Sequence, residues 1–395
     1  MRVARFDAFH VRIPLRFTVR HASHTRHDTD SLIIRCTLND GTTGWGEGLP
    51  RAYVTGETID SAVALFESAD LNQQCGAAWQ NLDQAVELAR AINLGPTPSD
   101  KRDSFGNTVR AAIELSLLDA AARSCSRPLS DIVFSIPETA AIRHASTQTQ
   151  VQYSGTITSM HPRRQWISAW MNRLWGFRQC KVKVGAAGID DCDTVGRIRG
   201  ILKPDVEIRI DANEAWTREE AARQINRLEP FGIATVEQPL PHSELEHMAW
   251  LRKATNTPLM LDESLCSLND GRRAIEDGTC DRFNIRISKC GGLTNALLLA
   301  AMAHRSGLGY QLGCQVGETG ILSAAGRHVA CAIDHILALE GSFDRFLVRN
   351  PLTQENLTFA RGGFAPALAS PGLGVTVRDS EVQQVTIRSL SRRIA

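Results

Sequence analysis

Three carboxylates recur at nearly equal intervals, each following a short apolar run: Asp211 in Ile-Asp-Ala-Asn, Glu237 in Val-Glu-Gln-Pro and Asp262 in Leu-Asp-Glu-Ser, 26 and 25 residues apart. One unit of an eight-stranded barrel takes roughly 30 residues, so this repeat sets each acid at the C-terminal end of a successive strand, the face on which barrel enzymes build their sites. Converging carboxylates repel one another unless a hard divalent cation neutralises them, and an all-oxygen donor set favours Mg2+, with Mn2+ as a substitute. Asp211, Glu237 and Asp262 are therefore expected metal ligands.

Lysines flank the trio. Lys181-x-Lys183 ends one apolar run, and residues two apart on a strand share a face, while Lys289 in Ile-Ser-Lys-Cys-Gly-Gly ends another. In barrel order these are the second and sixth strands, which lie opposite each other, so a substrate on the ion would meet an amine on either side. A lysine, with an ordinary pKa of about 10.4, becomes a usable base when burial, a dication or a neighbouring cation disfavours its charged form. Such a base could remove the proton beside a carboxylate. The dianionic enediolate so formed needs electrostatic stabilisation, which the ion and Lys181 would supply.

The elements needed to hold these groups are legible as pattern. Arg5 to Val11 and Ser31 to Leu38 alternate like strands, and the turn Asn39-Asp40-Gly41 leads into Thr43 to Glu47. Helical spacing follows in Ala62 to Leu71, Leu82 to Ala91 and Thr108 to Ala122, giving an α+β unit over residues 1–140. Eight short apolar runs then alternate with amphipathic stretches: Val151 to Ile157, Gln179 to Val184, Glu207 to Ile210, Ala234 to Val236, Pro258 to Leu261, Phe283 to Ile287, Tyr310 to Cys314 and Ile336 to Leu339. That rhythm predicts parallel strands closed into a barrel over residues 141–358. The tail, residues 359–395, is Gly- and Pro-rich at first, then strand-like over Val375 to Ile387, and is expected to return to the first unit.

Composition excludes several functions. Lys plus Arg number 44 against 43 for Asp plus Glu, so a net charge of +1 gives no pull toward nucleic acid or an anionic membrane. Met1 to Arg20 has no continuous apolar run, which argues against a signal peptide or a spanning helix and for a cytoplasmic protein. Ten cysteines are scattered without a Cys-x-x-Cys pair, as expected of reduced thiols.

The ordered set Lys181-x-Lys183, Asp211-x-Asn213, Glu237-Gln-Pro239, Asp262-Glu263 and Lys289 resembles the muconate lactonizing enzyme subgroup of the enolase superfamily, as do Gly44-Trp45-Gly46-Glu47 and Pro371-Gly372-Leu373-Gly374. The resemblance covers nearly the whole chain. It implies an α/β fold, a modified TIM barrel of the (β/α)7β type with an α+β N-terminal capping domain. It also implies Mg2+ on Asp211, Glu237 and Asp262, acid/base catalysis by Lys183 and Lys289, an electrostatic role for Lys181, and support from Asn213 and Glu263 around the ligands. The mandelate racemase subgroup, with a His on the seventh strand, fits less well, because this stretch reads Gly313-Cys314-Gln315-Val316-Gly317-Glu318. Dipeptide epimerases carry Asp-x-Asp after the eighth strand; here Ala338-Leu339-Glu340 departs from it, and Glu340 could serve in part.

Two capping loops would select the substrate, one with His21, His24 and His27 and one with Arg51, Tyr53 and Thr55. Arg51 and Tyr53, with Cys314, Glu318 and Glu340 from the barrel, are the candidate substrate contacts. The implied activity is Mg-dependent α-proton abstraction from a small-molecule carboxylate, foremost racemisation or epimerisation of an amino-acid derivative. Muconate-type cycloisomerisation and syn-dehydration of the succinylbenzoate-forming kind use the same catalytic set, and a metal-binding barrel without turnover is the remote alternative. A homo-oligomer is expected from the family.

Overall fold

The computed structural model of the chain describes residues 1–20, 25–94, 104–146, 148–158 and 161–395. The expected lid residues His21 and His24 lie outside the described residues.

The N-terminal strand Val3–Arg20 pairs antiparallel with Thr25–Leu38, which pairs in turn with Thr43–Gly48. The first two strands run well past the segments expected from alternation. From Val11 to Arg16 buried Val, Ile and Leu alternate with exposed residues, as a sheet with one covered face requires. Strands Thr25–Leu38 and Thr43–Gly48 are covered by the helix Asn107–Ser124, whose residues 107–122 are buried apart from Arg110. It lies so close to the third strand that a Cβ on Gly44 would fall 2.1 Å from Ala120 N, and one on Gly46 2.0 Å from Ala112 O. Alternate glycines in Gly-Trp-Gly-Glu-Gly thus let a helix backbone rest on a strand, while the intervening Trp45 and Glu47 keep their side chains on the other face.

Eight parallel strands form the second sheet, in sequence order: Gly155–Ile157, Gln179–Lys183, Glu207–Asp211, Ile233–Glu237, Leu259–Leu261, Arg282–Ile285, Gly309–Leu312 and Ile336–Leu339. The backbone bond Ser154 N to Leu339 O, at 2.8 Å, joins the first strand's entry to the last and closes the barrel. Helices fill each of the seven intervals, from Pro162–Trp175 to Gly320–Ala332, giving the (β/α)7β order.

Two expectations shift. The run Val151 to Ile157 is two elements: Gln150–Gln152 pairs antiparallel with Phe364–Pro366, and only Gly155–Ile157 enters the barrel. The strand-like tail is displaced as well. Asp379–Gln384 is a short helix that buries Val382, and the strand is Thr386–Arg393, which pairs with Val3–Arg20 and completes the N-terminal sheet. Apolar residues at 375, 382 and 385 are buried at helical and loop spacings that mimic a strand in the sequence. All ten cysteines are free, and among the described residues no helix is long and apolar enough to cross a membrane.

Candidate active site

Strand register brings the expected residues to one level. Lys183 pairs with Asp211, and Asp211 with Glu237, on the second, third and fourth barrel strands. One step deeper, Lys181 pairs with Arg209 and Arg209 with Thr235. Two stacked layers of inward side chains result, and both are largely polar.

The deeper layer is a charge network. Lys181 Nζ donates to Glu340 Oε2 at 2.8 Å and stands 3.5 Å from Asp211 Oδ2 and 3.6 Å from Glu237 Oε1. Arg209 joins from the other side, donating to Glu340 Oε1 at 3.0 Å, to Ser154 Oγ at 2.9 Å and to Gln311. Burial works against the Lys181 ammonium, but Glu237, Glu340 and Asp211 outweigh it and raise its pKa. Burial likewise opposes ionisation of Glu340, and Lys181 and then Arg209 overcome it, holding that carboxyl below its usual range. Glu340 is therefore a buried bridge between two cations.

The outer layer holds the trio. Glu237 accepts from Asn284 Nδ2 at 2.7 Å, and burial followed by the nearby Asp211 pushes its carboxyl up to about 8. Asp262 is pulled the other way. Burial opposes its ionisation, yet Arg286 and Lys289 prevail and hold it down at about 2. Cations separate the carboxylates: Arg286 bonds Asp262 and lies 3.6 Å from Glu237 Oε1, while Lys181 spans Glu237 and Asp211. As placed, no three acidic, His or Cys side chains among the described residues surround a single point.

The donor set nonetheless fits a hard divalent ion. It is wholly carboxylate, it sits at the strand ends, and burial followed by Asp262 drives Glu263 well above its usual value. Glu263 Oε2 is moreover buried without a hydrogen-bond partner. A carboxylate short of positive charge beside three others is what a dication would relieve.

The lysines differ sharply. Lys183 is partly exposed, and its Nζ donates to Asn213 Oδ1 at 2.6 Å. Asn213 in turn donates from its backbone N to Asp211 Oδ1 at 3.1 Å and from Nδ2 to Glu263 Oε1 at 3.3 Å, tying the amine to the acids. Asn213, Glu214 and Gln238 all have positive φ, at 44°, 65° and 38°, so strained backbone gathers where the third and fourth strands end. Lys289 lies four residues beyond the sixth strand and is fully buried, donating to Asp262 O at 2.7 Å, Asp262 Oδ1 at 2.8 Å and Asn284 O at 2.9 Å.

The capping residues are more committed than expected. Arg51 is buried and donates to Thr29 Oγ1, Asp30 O, Pro50 O and Val316 O, so it clamps the capping sheet to the loop after the seventh strand. Burial, then Arg26, lowers it to about 10. Arg26 lies over the Tyr53 ring at 5.4 Å, Thr55 is buried, and His27 faces Thr18 Oγ1 at 3.2 Å. Glu318 accepts from Gln315 N at 2.6 Å and is pushed up to about 8, chiefly by burial, and Cys314 is raised by burial and then by Glu318. Glu318 and Glu340 line a cavity with Tyr153, Gly313 and Ser342, set against strands six to eight and the helix Gly320–Ala332 rather than over the trio.

Four inward residues escaped the sequence reading: Arg209, Asn284, Arg286 and Gln311. Counting in twos from Asp211 reaches Arg209, but Asn284 and Arg286 lie five and three residues before Lys289, and Gln311 three before Cys314, so the same count from those positions turns them away. Polar residues inside an apolar run were passed over because burial of an arginine is unusual unless it is paired.

Comparison with known proteins decides the family. Residues 4–133 match the mandelate racemase / muconate lactonizing enzyme N-terminal domain, and residues 166–381 match the enolase C-terminal domain-like family. The chain belongs to the muconate lactonizing enzyme subgroup of the enolase superfamily. It is 30% identical over 332 residues to a hydrophobic dipeptide epimerase of Enterococcus faecalis, covering 83% of this chain and 87% of that one. It is 25% identical over 401 residues to an N-succinyl-L-Arg/Lys racemase of Bacillus cereus, covering 98% of each. A solved dipeptide epimerase from Enterococcus faecalis, complexed with Mg and L-Leu-L-Tyr, superposes with a TM-score of 0.81 at 26% identity, covering 95% of this chain and 100% of that one. These enolase-superfamily relatives are epimerases and racemases of amino-acid derivatives, an isomerase family.

Proposed function

We propose that this enolase-superfamily protein removes the proton α to the carboxylate of an N-acylated amino acid or a dipeptide, the step with which its racemase and epimerase relatives begin, with Lys183 as base. The observation that carries this reading is the Lys183 amine, partly exposed at the strand ends, tied by one bond to Asn213 and paired in register with Asp211. Asp211, Glu237 and Asp262 would hold Mg2+, with Mn2+ as a substitute, and the ion when bound neutralises the substrate carboxylate and so acidifies its α-carbon. Asn213 orients the amine. Lys181, charged and buried beneath the trio, stabilises the negative charge that develops as the proton leaves. Lys289 holds Asp262 in place through its three donations. Arg26 and Tyr53, stacked on each other in the capping unit, would contact the substrate's distal part.

The test is proton exchange in D2O. N-succinyl amino acids and dipeptides, incubated with protein and Mg2+, should lose the α-proton signal in NMR, with EDTA abolishing the loss. Lys183→Ala should slow it by about 10²–10⁴, the usual contribution of a general base. Undiminished exchange in that variant would sink the assignment.

The same reading includes a cytoplasmic homo-oligomer. The helix Pro162–Trp175 exposes Trp166, Ile167, Met171, Leu174 and Trp175 on adjoining turns, a face a second copy would cover. Sedimentation velocity should show an assembly larger than 43.3 kDa.

A further inference from the structure

The sixth barrel strand does not present a lysine to the centre. Its inward positions are the even-numbered ones: Arg282 donates to Thr235 Oγ1, Asn284 Nδ2 to Glu237 Oε1 at 2.7 Å, and Arg286 to Asp262, with Glu237 Oε1 a further 3.6 Å away. Two-residue periodicity therefore makes Arg286 the strand-end group at the level of the carboxylates. The second and sixth strands stand across the barrel from each other in the observed order, so Arg286 faces Lys183. Arg286 keeps 11% of its side chain accessible, whereas Lys289 keeps 0%. Lys289 also gives all three ammonium protons to Asp262 O, Asp262 Oδ1 and Asn284 O, which leaves it neither a lone pair nor a proton to offer a substrate.

We propose that Arg286, rather than Lys289, confronts the substrate opposite Lys183, so that the α-proton is removed and returned on the Lys183 face alone. This rests on the enolisation proposed above and specifies its stereochemistry. On the Lys183 face the C–H bond breaks, its electron pair enters the new C=C of the enediolate, and the proton passes to Nζ. The resulting ammonium exchanges with solvent and returns a solvent hydron to the same face of the carbon, so substrate is regenerated with its configuration intact.

Inversion needs a group on the other face that donates in one direction and accepts in the other. A guanidinium carries five N–H donors, no acceptor, and keeps its proton throughout the working pH range. It can neutralise charge that grows on the substrate, but it is a poor partner for carbon. For two enantiomers the equilibrium constant is one, so a barrier on the Arg286 face slows inversion equally from either side. Exchange should thus outrun inversion, and the reactions open to an unmodified site are those completed on one face, such as loss of a leaving group that takes its proton from the Lys183 ammonium.

The experiment follows both events at once. N-succinyl-L-arginine, N-succinyl-D-arginine and the leucyl-tyrosine dipeptides of either configuration at tyrosine are incubated with Mg2+-loaded protein in D2O. Deuterium wash-in is read by NMR and configuration by chiral chromatography. The expected result is exchange of one configuration at least tenfold faster than inversion, and a fall in that ratio of at least tenfold in Arg286→Lys, which restores an amine to the second face. Wild-type protein that inverts as fast as it exchanges would overturn the inference and leave the enolisation standing. Absence of exchange from every probe would remove the enolisation, and this inference with it.

A second readout needs no turnover. Mg2+ titrated calorimetrically into substrate-free protein should bind at least tenfold more tightly to Arg286→Met than to wild type, because the guanidinium no longer competes for Asp262 and Glu237. Unchanged affinity would show that Arg286 does not stand among those ligands.

Discussion

Lys181 touches three carboxylates and is itself buried, so its contribution to stability is set by what remains when it is removed. A buried pair broken on one side leaves an uncompensated charge, which costs about 3–5 kcal/mol. Lys181→Met should lower the unfolding free energy in urea by that order. Glu340→Gln alone should also destabilise, since it takes the shared carboxylate from Lys181 and Arg209, and the double variant should lose less than the two single losses together, because the Lys181–Glu340 contact is lost only once. Additive losses in the double variant would show that the Lys181–Glu340 contact carries no coupling. The same residue-scale logic separates the lysines at the site. Among the described residues Lys183 has one polar partner and Lys289 has three, and in the proposed reaction this difference in committed donors, not distance along the chain, suits the first to chemistry and the second to support.

At the scale of elements, the decisive contact is strand Thr43–Gly48 against helix Asn107–Ser124. Gly46 leaves no room for a side chain, since a Cβ there would fall 2.0 Å from Ala112 O and 2.7 Å from Ser116 N, both backbone atoms of a helix that cannot yield locally. Gly46→Ala should therefore lower the melting temperature by about 2–4 °C, for a loss on the order of 2–3 kcal/mol in a chain of this size, or abolish soluble expression. Gly200→Ala supplies the contrast. That glycine lies in the helix Asp191–Ile201 with nothing within 4 Å of an added Cβ, and replacement should stabilise by roughly 0.5–1 kcal/mol. Differential scanning calorimetry of the two variants decides both, and equal melting temperatures would contradict the close approach.

Across the whole molecule, acids from the N-terminal unit cap barrel helices. Glu47 accepts from Thr319 N, Thr319 Oγ1 and Leu322 N at the start of helix Gly320–Ala332, and Glu114 accepts from Leu293 N and Thr294 N at the start of helix Leu293–Arg305. Each satisfies backbone N–H groups that a helix cannot satisfy itself. Burial outweighs these bonds at Glu47 and pushes its carboxyl up to about 7 from an ordinary 4.5. The folded state then holds this proton where the unfolded chain has released it, so the Glu47 contribution to stability is greatest below pH 4.5 and declines as pH rises through 7. Melting temperatures measured from pH 5 to 7.5 should accordingly fall less steeply for Glu47→Gln than for wild type. A parallel pair of curves would place the Glu47 titration elsewhere.

The alternation of eight short apolar runs with helices, the acids that end three of them, and the Lys181-x-Lys183 pair are legible residue by residue, because strand periodicity and the C-terminal face of a barrel are local rules that fix where a side chain points. The sequence also led to the family, through an ordered set no single part of which is specific. What each charge meets is set by the packing of distant segments. Lys289 and Arg286 are three residues apart, and both types could serve a carboxylate. Which of them turns inward depends on the sixth strand ending at Ile285, and on Asp262 arriving from the neighbouring strand to take up the ammonium. Glu340 reads as a loop acid until Lys181 and Arg209 close on it from two other strands, and Arg51 reads as a free lid cation until Thr29 and Asp30 on one side and Val316 on another accept from it. Pairings of this kind join residues tens to hundreds of positions apart, where the energy lies in the meeting and neither partner alone records it.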